Sequence, residues 1–175
     1  RMAYMLSKGI SQSSILALTF TNKAAREMEE RVKKLTGKKL TNLTVSTFHA
    51  FGVKILRDCI DKLGYKDNFS IYDQADQMDL IKQVLREQRI ATDDVDLYGL
   101  VNTFSAVKTG RMGWSDETKE YKPIYESYLE HLRVYNAVDF DDLIILPIEI
   151  FTRFPDILTA YQERYRYIMV DEFQD

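Results

Sequence analysis

The 175-residue chain has a single cysteine, Cys59, and only two histidines, His49 and His131. One thiol cannot form an internal disulfide, and this small set argues against a Cys/His zinc site. Cys59 is therefore expected in the core. No apolar run approaches the roughly 18 residues of a membrane span, and the apolar part of the segment from Arg1 to Lys8 is too short for a signal peptide. A soluble, cytoplasmic protein with no membrane partner is expected. There is neither a repeat at solenoid period nor a low-complexity tract. A global excess of positive charge is missing too, since the net charge is -3.

What is present is a 45% hydrophobic chain able to bury one or two domains. Its charge is unevenly distributed. Residues 1–70 hold 13 Lys/Arg against 6 Asp/Glu, whereas residues 71–175 hold 11 against 21. The basic first part could meet a phosphate backbone, or it could be a solvated face.

Ile15 to Phe20 is a continuous apolar run of strand length, as required of a strand covered on both faces in a parallel sheet. A helix is predicted directly after it, capped at Thr21 or Asn22, with Ala25, Met28, Val32 and Leu35 at helical spacing and a stop at Gly37. The pattern repeats with a strand over 43–48 and a helix carrying Leu56, Cys59, Ile60 and Leu63 up to Gly64. A third strand, 167–172, follows only after about a hundred residues, so an insertion separates it from the second. That insertion reads as almost wholly helical. Its helices carry Met78, Ile81, Val84 and Leu85; then Leu97, Leu100, Val101, Phe104 and Val107; then Ile124, Tyr128, Leu132 and Tyr135. Arg111 to Ser115 reads as a turn, with a cap at Ser115 or Asp116. Helices resume after Asp139-Phe140-Asp141-Asp142, punctuated by Pro147 and Pro155.

The three strand ends hold the chemistry. In open α/β sheets ligands gather at the carboxyl ends of the strands. The first ends in Phe20-Thr21-Asn22, the second in Thr47-Phe48-His49, and the third in Asp171-Glu172. Phe20 and Phe48 are either core residues or stacking platforms for nucleobases. Thr21, Asn22, Thr47 and His49 can cap helices and bind phosphates at the same helix N-termini. The apolar run Tyr167 to Val170 followed by two carboxylates has the form of a Walker B strand. In that setting the first carboxylate helps hold magnesium and the second orients or deprotonates water. It is equally the form of any buried strand reaching solvent.

Thr19-Phe20-Thr21-Asn22-Lys23-Ala24-Ala25-Arg26-Glu27-Met28 resembles motif Ia of the UvrD/Rep/PcrA family of superfamily 1 DNA helicases. Ser46-Thr47-Phe48-His49-Ala50-Phe51 resembles motif Ib, and Val170-Asp171-Glu172-Phe173-Gln174-Asp175 resembles motif II. Asp139-Phe140-Asp141-Asp142-Leu143-Ile144 is similar to a segment these helicases carry before motif II. All four occur in the family's order. The resemblance implies an α/β fold, a partial RecA-like P-loop NTPase parallel sheet with a large all-helical insertion. Residues 1–49 and 153–175 would belong to the motor domain and 50–152 to a helical accessory subdomain. It further implies an ATP- and Mg2+-dependent motor that translocates 3′ to 5′ on single-stranded DNA and unwinds duplex at single/double-strand junctions, together with the remaining helicase domains. Phe20, Thr21, Asn22, Thr47, Phe48 and His49 would contact the single strand. Asp171 would hold magnesium and the nucleotide, Glu172 would activate water, and Gln174 belongs to the same catalytic motif.

The chain departs from the family in lacking a G-x-x-x-x-G-K-S/T loop, for its Gly37-Lys38 pair is followed by Lys39. In the relatives that loop lies upstream of the segment corresponding to Arg1. The expectation is a fragment of a helicase that does not hydrolyse ATP by itself. Three other readings stay open: a piece of a helicase-nuclease subunit, a nonenzymatic DNA- or protein-binding module, and a metal-dependent hydrolase using Asp139, Asp141, Asp142, Asp171 and Glu172. Against the last, acidic residues at 139–142 also suit a helix N-terminus.

Overall fold

The computed structural model describes residues 1–92 and 95–172. Among the described residues the chain forms eight α-helices and five β-strands in two compact units. One comprises Arg1–Ile55 with the described part of Ile148–Asp175, and the other comprises Leu56–Pro147.

In the first unit, β1 (Ile15–Thr19) is buried along its whole length and lies between β2 (Thr44–Thr47) and β5 (Tyr167–Val170), all three parallel. Side chains alternate across a strand, so β1 needs an apolar partner on each face. Ile15 and Ala17 pack with Met2 and Leu6 of α1 (Met2–Ser7) and Val32 of α2 (Asn22–Thr36). Leu16 and Leu18 pack against Tyr165, which follows α8 (Pro155–Arg164), with Phe48, Phe51 and Tyr161 beside them. α2 is capped by Thr21 and ends at Gly37, whose φ of 62° is the left-handed conformation that glycine adopts without steric penalty.

Strand limits differ from the sequence reading at the functional ends. β1 stops at Thr19, and Phe48 is the first residue of α3 (Phe48–Cys59) rather than the last of β2. The Thr47 hydroxyl accepts from Ala50 N–H at 3.2 Å, which turns the chain into helix at that point. β5 likewise ends at Val170, so Asp171 and Glu172 lie in the turn beyond it.

The second unit is built on α4 (Gln74–Glu87), α5 (Leu97–Lys108) and α6 (Lys122–Val134). Most of the periodic residues form its core: Ile81, Val84 and Leu85 meet Leu100, Val101 and Phe104, and these meet Ile124, Tyr128 and Leu132, whereas Tyr135 is exposed. Cys59 is buried as expected. The unit is not wholly helical, because β3 (Ser70–Tyr72) pairs in parallel with β4 (Ala137–Asp139). Strands of three residues carry too little alternation to be recognised from sequence. Ser115 does not cap α6; its N–H donates to the Thr118 hydroxyl at 3.0 Å in a preceding turn. Nor does Pro147 end a helix. It lies inside α7 (Asp142–Arg153), a position costing ~3 kcal/mol. Leu143, Leu146 and Ile150, all buried, hold the helix on either side of it.

One buried polar cluster explains the acidic run at 139–142. Lys108 Nζ lies 2.7 Å from Asp139 Oδ2 and 2.8 Å from Asp142 Oδ1, and Tyr128 Oη donates to Asp139 Oδ2 at 2.9 Å. Each aspartate also accepts the other's backbone N–H at 3.0 Å, the reciprocal arrangement of a capping box. These carboxylates are committed to an ammonium and to backbone donors. Among the described residues no group of three or more His, Cys, Asp or Glu is placed to hold a metal ion.

Two carboxylates here share one cation. Burial, opposed by Lys108 and reinforced by Asp139, moves the Asp142 carboxyl from the ordinary 3.8 up to about 6. Burial also disfavours the Lys108 ammonium, but Asp142 and Asp139 outweigh it and raise its pKa. Removing the cation strands both acids, so Lys108→Met is expected to lower stability at pH 7 by ~3–5 kcal/mol in urea unfolding. Because the folded pKa of Asp142 lies above its unfolded value, its protonation favours the folded state. That contribution is complete below about pH 4 and lost as pH rises through about 6. Comparison of unfolding curves should show this component in the native chain and not in Asp142→Asn.

Candidate functional site

The register of the three parallel strands brings their ends to one level. Thr19 pairs with Thr47, Leu18 pairs with Val170, and Asp171 N–H donates to Leu18 C=O at 2.9 Å. Phe20, Phe48 and Asp171 are the residues that directly follow β1, β2 and β5, so all three leave the sheet at the same end.

Phe20 is 51% exposed although it directly follows a fully buried strand. Its ring lies 5.3 Å from that of half-buried Phe48, tilted by 42°. Such a pair keeps aromatic faces available to a planar ligand while each ring steadies the other. Phe48, like Phe51 and Tyr161, packs against the buried cluster of Leu16, Leu18 and Tyr165. Phe51 meets Tyr161 and Tyr165 edge-on at 6.3 and 5.6 Å. The sequence reading missed this aromatic support. Its only signal was helical spacing, Phe48 with Phe51 and Tyr161 with Tyr165, which is also the spacing of any core stripe.

Thr21 and Thr47 act as helix caps, Thr21 Oγ1 accepting from Ala24 N–H at 3.1 Å and Thr47 Oγ1 from Ala50 N–H at 3.2 Å. Asn22 and His49 are exposed in the first turns of α2 and α3. The N-terminal N–H groups of two helices thus converge beside the aromatic pair, an arrangement suited to phosphate oxygens.

Asp171 and Glu172 are both exposed, and neither forms an ion pair among the described residues. Glu172 has a φ of 52°, a left-handed conformation costing a non-glycine residue ~1–2 kcal/mol. Magnesium is commonly held by one or two carboxylates, with phosphate oxygens and water completing its shell. This pair fits that donor set. Gln174 lies outside the described residues.

A parallel sheet with aromatic, capping and carboxylate residues at one end gives a mixed α/β architecture consistent with a partial RecA-like domain. A model of the UvrD/REP helicase N-terminal domain matches residues 1–175, and the chain belongs to that family. It is 39% identical over 186 residues to the ATP-dependent DNA helicase PcrA of Bacillus subtilis, a match covering 100% of this chain and 25% of that protein. It is 40% identical over 184 residues to the PcrA of Staphylococcus aureus strain Mu50 and 39% identical over 184 residues to that of Staphylococcus epidermidis, with the same coverage. The chain spans about a quarter of the length of these relatives.

The caps can be tested apart from any ligand. Thr21→Ala and Thr47→Ala should each cost ~1 kcal/mol in chemical denaturation, whereas Thr→Ser at either position should preserve most of the stability.

Proposed function

We propose that this chain is part of the first motor domain of an ATP-dependent DNA helicase that moves 3′ to 5′ on single-stranded DNA and opens duplex at junctions. Its setting is the cytoplasm, in replication, repair or recombination. The observation that carries this reading is the gathering of an aromatic pair, two helix N-termini and an exposed carboxylate pair at one end of a parallel sheet. The relatives' names, ATP-dependent DNA helicase, support it.

In this reading Phe20 and Phe48 stack on bases, while Thr21, Asn22, Thr47 and His49 line the path of the backbone. Mg2+-ATP, when bound, supplies the phosphoanhydride whose hydrolysis drives movement. Asp171 would hold the magnesium ion, Glu172 would take the proton of the attacking water, and Gln174 would assist in the same motif. Residues 1–49 and 153–175 form the motor portion and 50–152 the accessory subdomain. The two compact units support such a division, with transitions inside α3 and α7.

Base stacking contributes ~1–3 kcal/mol per base, so Phe20→Ala/Phe48→Ala should weaken binding of a labelled oligothymidylate by tenfold or more in fluorescence anisotropy, while leaving the salt slope intact. Unchanged affinity would overturn the stacking assignment. The chain has no phosphate loop of its own, so alone it should show no ATP turnover. In a full-length helicase carrying this segment, Glu172→Gln should abolish turnover but retain nucleotide binding. Residual turnover near the native rate would remove Glu172 from the mechanism.

A further inference from the structure

The opposite end of the same sheet, where the strands begin, carries a second polar concavity that the helicase reading does not use. We propose that it is a phosphate-binding site built by Lys54, Arg164, Ser13, Thr44 and Ser46. These side chains line a pocket of about 330 Å³. They come from the turn before β1, from β2, from α3 and from the end of α8. The lining runs along the edge strand β2 as far as Ser46, which pairs with Leu18.

Lys54 carries the argument. It is half-buried, and its ammonium donates to Tyr165 Oη at 3.3 Å. That phenol oxygen also lies 3.3 Å from Thr44 Oγ1. Among the described residues neither Lys54 nor Arg164 forms an ion pair. An ammonium has three donors, and the phenol takes one of them. A part-buried cation with a neutral acceptor, in a pocket lined by hydroxyls, presents its remaining donors to an oxyanion.

The walls are fixed by the fold. Gln12 donates to Lys39 C=O at 3.0 Å and accepts from Asn42 N–H at 3.1 Å, which ties the segment before β2 to the segment before β1. Tyr165, which orients Lys54, is 4% exposed. An adjoining depression adds Ser11, Ser14 and Arg166, with Glu163 as its one acidic lining residue. Hydroxyls with guanidinium and ammonium groups in excess over carboxylate match the tetrahedral, multiply charged phosphate better than a planar carboxylate ligand.

The ligand is a phosphate group, either free or in a nucleic-acid backbone, and two titrations of the isotopically labelled 175-residue chain separate these sources. The first adds inorganic phosphate, with sodium chloride at equal ionic strength as control. The second adds oligothymidylate to a Phe20→Ala/Phe48→Ala background, which removes the stacking face. Amide shifts at Ser13, Thr44 and Ser46 that saturate with phosphate and not chloride are expected. In Lys54→Met/Arg164→Met the affinity should fall at least about tenfold, as loss of charge-assisted bonds requires, while resonances elsewhere stay in place. The same shifts with oligothymidylate would identify the backbone as the source, and their confinement to the inorganic arm would identify free phosphate. Absence of site-specific shifts in both arms, or equal binding by the double variant, overturns the proposal. Failure of the helicase reading would leave this result unaffected, because neither variant residue belongs to the strand-end constellation.

Discussion

Both edges of β1 are hydrogen-bonded to parallel partners and both of its faces are buried, so its five residues cannot shift register without exposing an entire side-chain set. That register holds Phe20, Phe48 and Asp171 at one end of the sheet. A one-residue slip of β2 would carry Phe48 away from Phe20 and also reverse the faces on which Thr44, Val45 and Ser46 lie. The strand-end geometry is thus inherited from burial of Leu16, Ala17 and Leu18, residues that touch no ligand in the proposed mechanism.

Charge is divided along that end. The β1 and β2 ends lead into α2 and α3, whose N-termini bring positive partial charge, whereas β5 ends in two carboxylates. An anionic strand and a divalent cation prefer opposite environments, and adjacent strands of one sheet supply both. In the proposed function the DNA backbone lies over the helix N-termini and the metal over the carboxylates, each within one strand spacing of β1. Coupling between nucleotide and DNA then needs no long path, because β1 borders both.

Much of this arrangement was legible in the sequence because it rests on local signals. Ile15 to Thr19 declared itself by unbroken hydrophobicity, α2 by Thr21 and Gly37, and the three main helices of the second unit by their apolar spacing. What could not be read depends on contacts distant in sequence. Lys108 gives no sign that it neutralises Asp139 and Asp142, more than thirty positions away. β3 and β4 are too short to show a period and exist because they pair with each other. Pro147 was misleading because a local rule, which favours a helix break, is overridden by burial on both sides. Lys54, Ser13 and Arg164 belong to three separate segments and share no motif, so only the fold assembles them.

The two ends of the sheet also differ in the kind of group that would hold an anion. At the strand ends the donors are backbone N–H groups, and replacement of single side chains removes capping without removing the donors themselves. At the strand starts the helix dipole works in the other direction, because α8 ends there and presents partial negative charge near Arg164. That dipole costs an anion ~0.3–1 kcal/mol, against ~1.5–3 kcal/mol for each hydrogen bond to a charged partner. Two cations that form no ion pair among the described residues outweigh it, though one of them, Arg164, lies 5.1 Å over the Tyr165 ring and spends part of its attraction on the helix terminus. Lys54, mounted on α3 and held by the Tyr165 hydroxyl, offers its charge to the pocket.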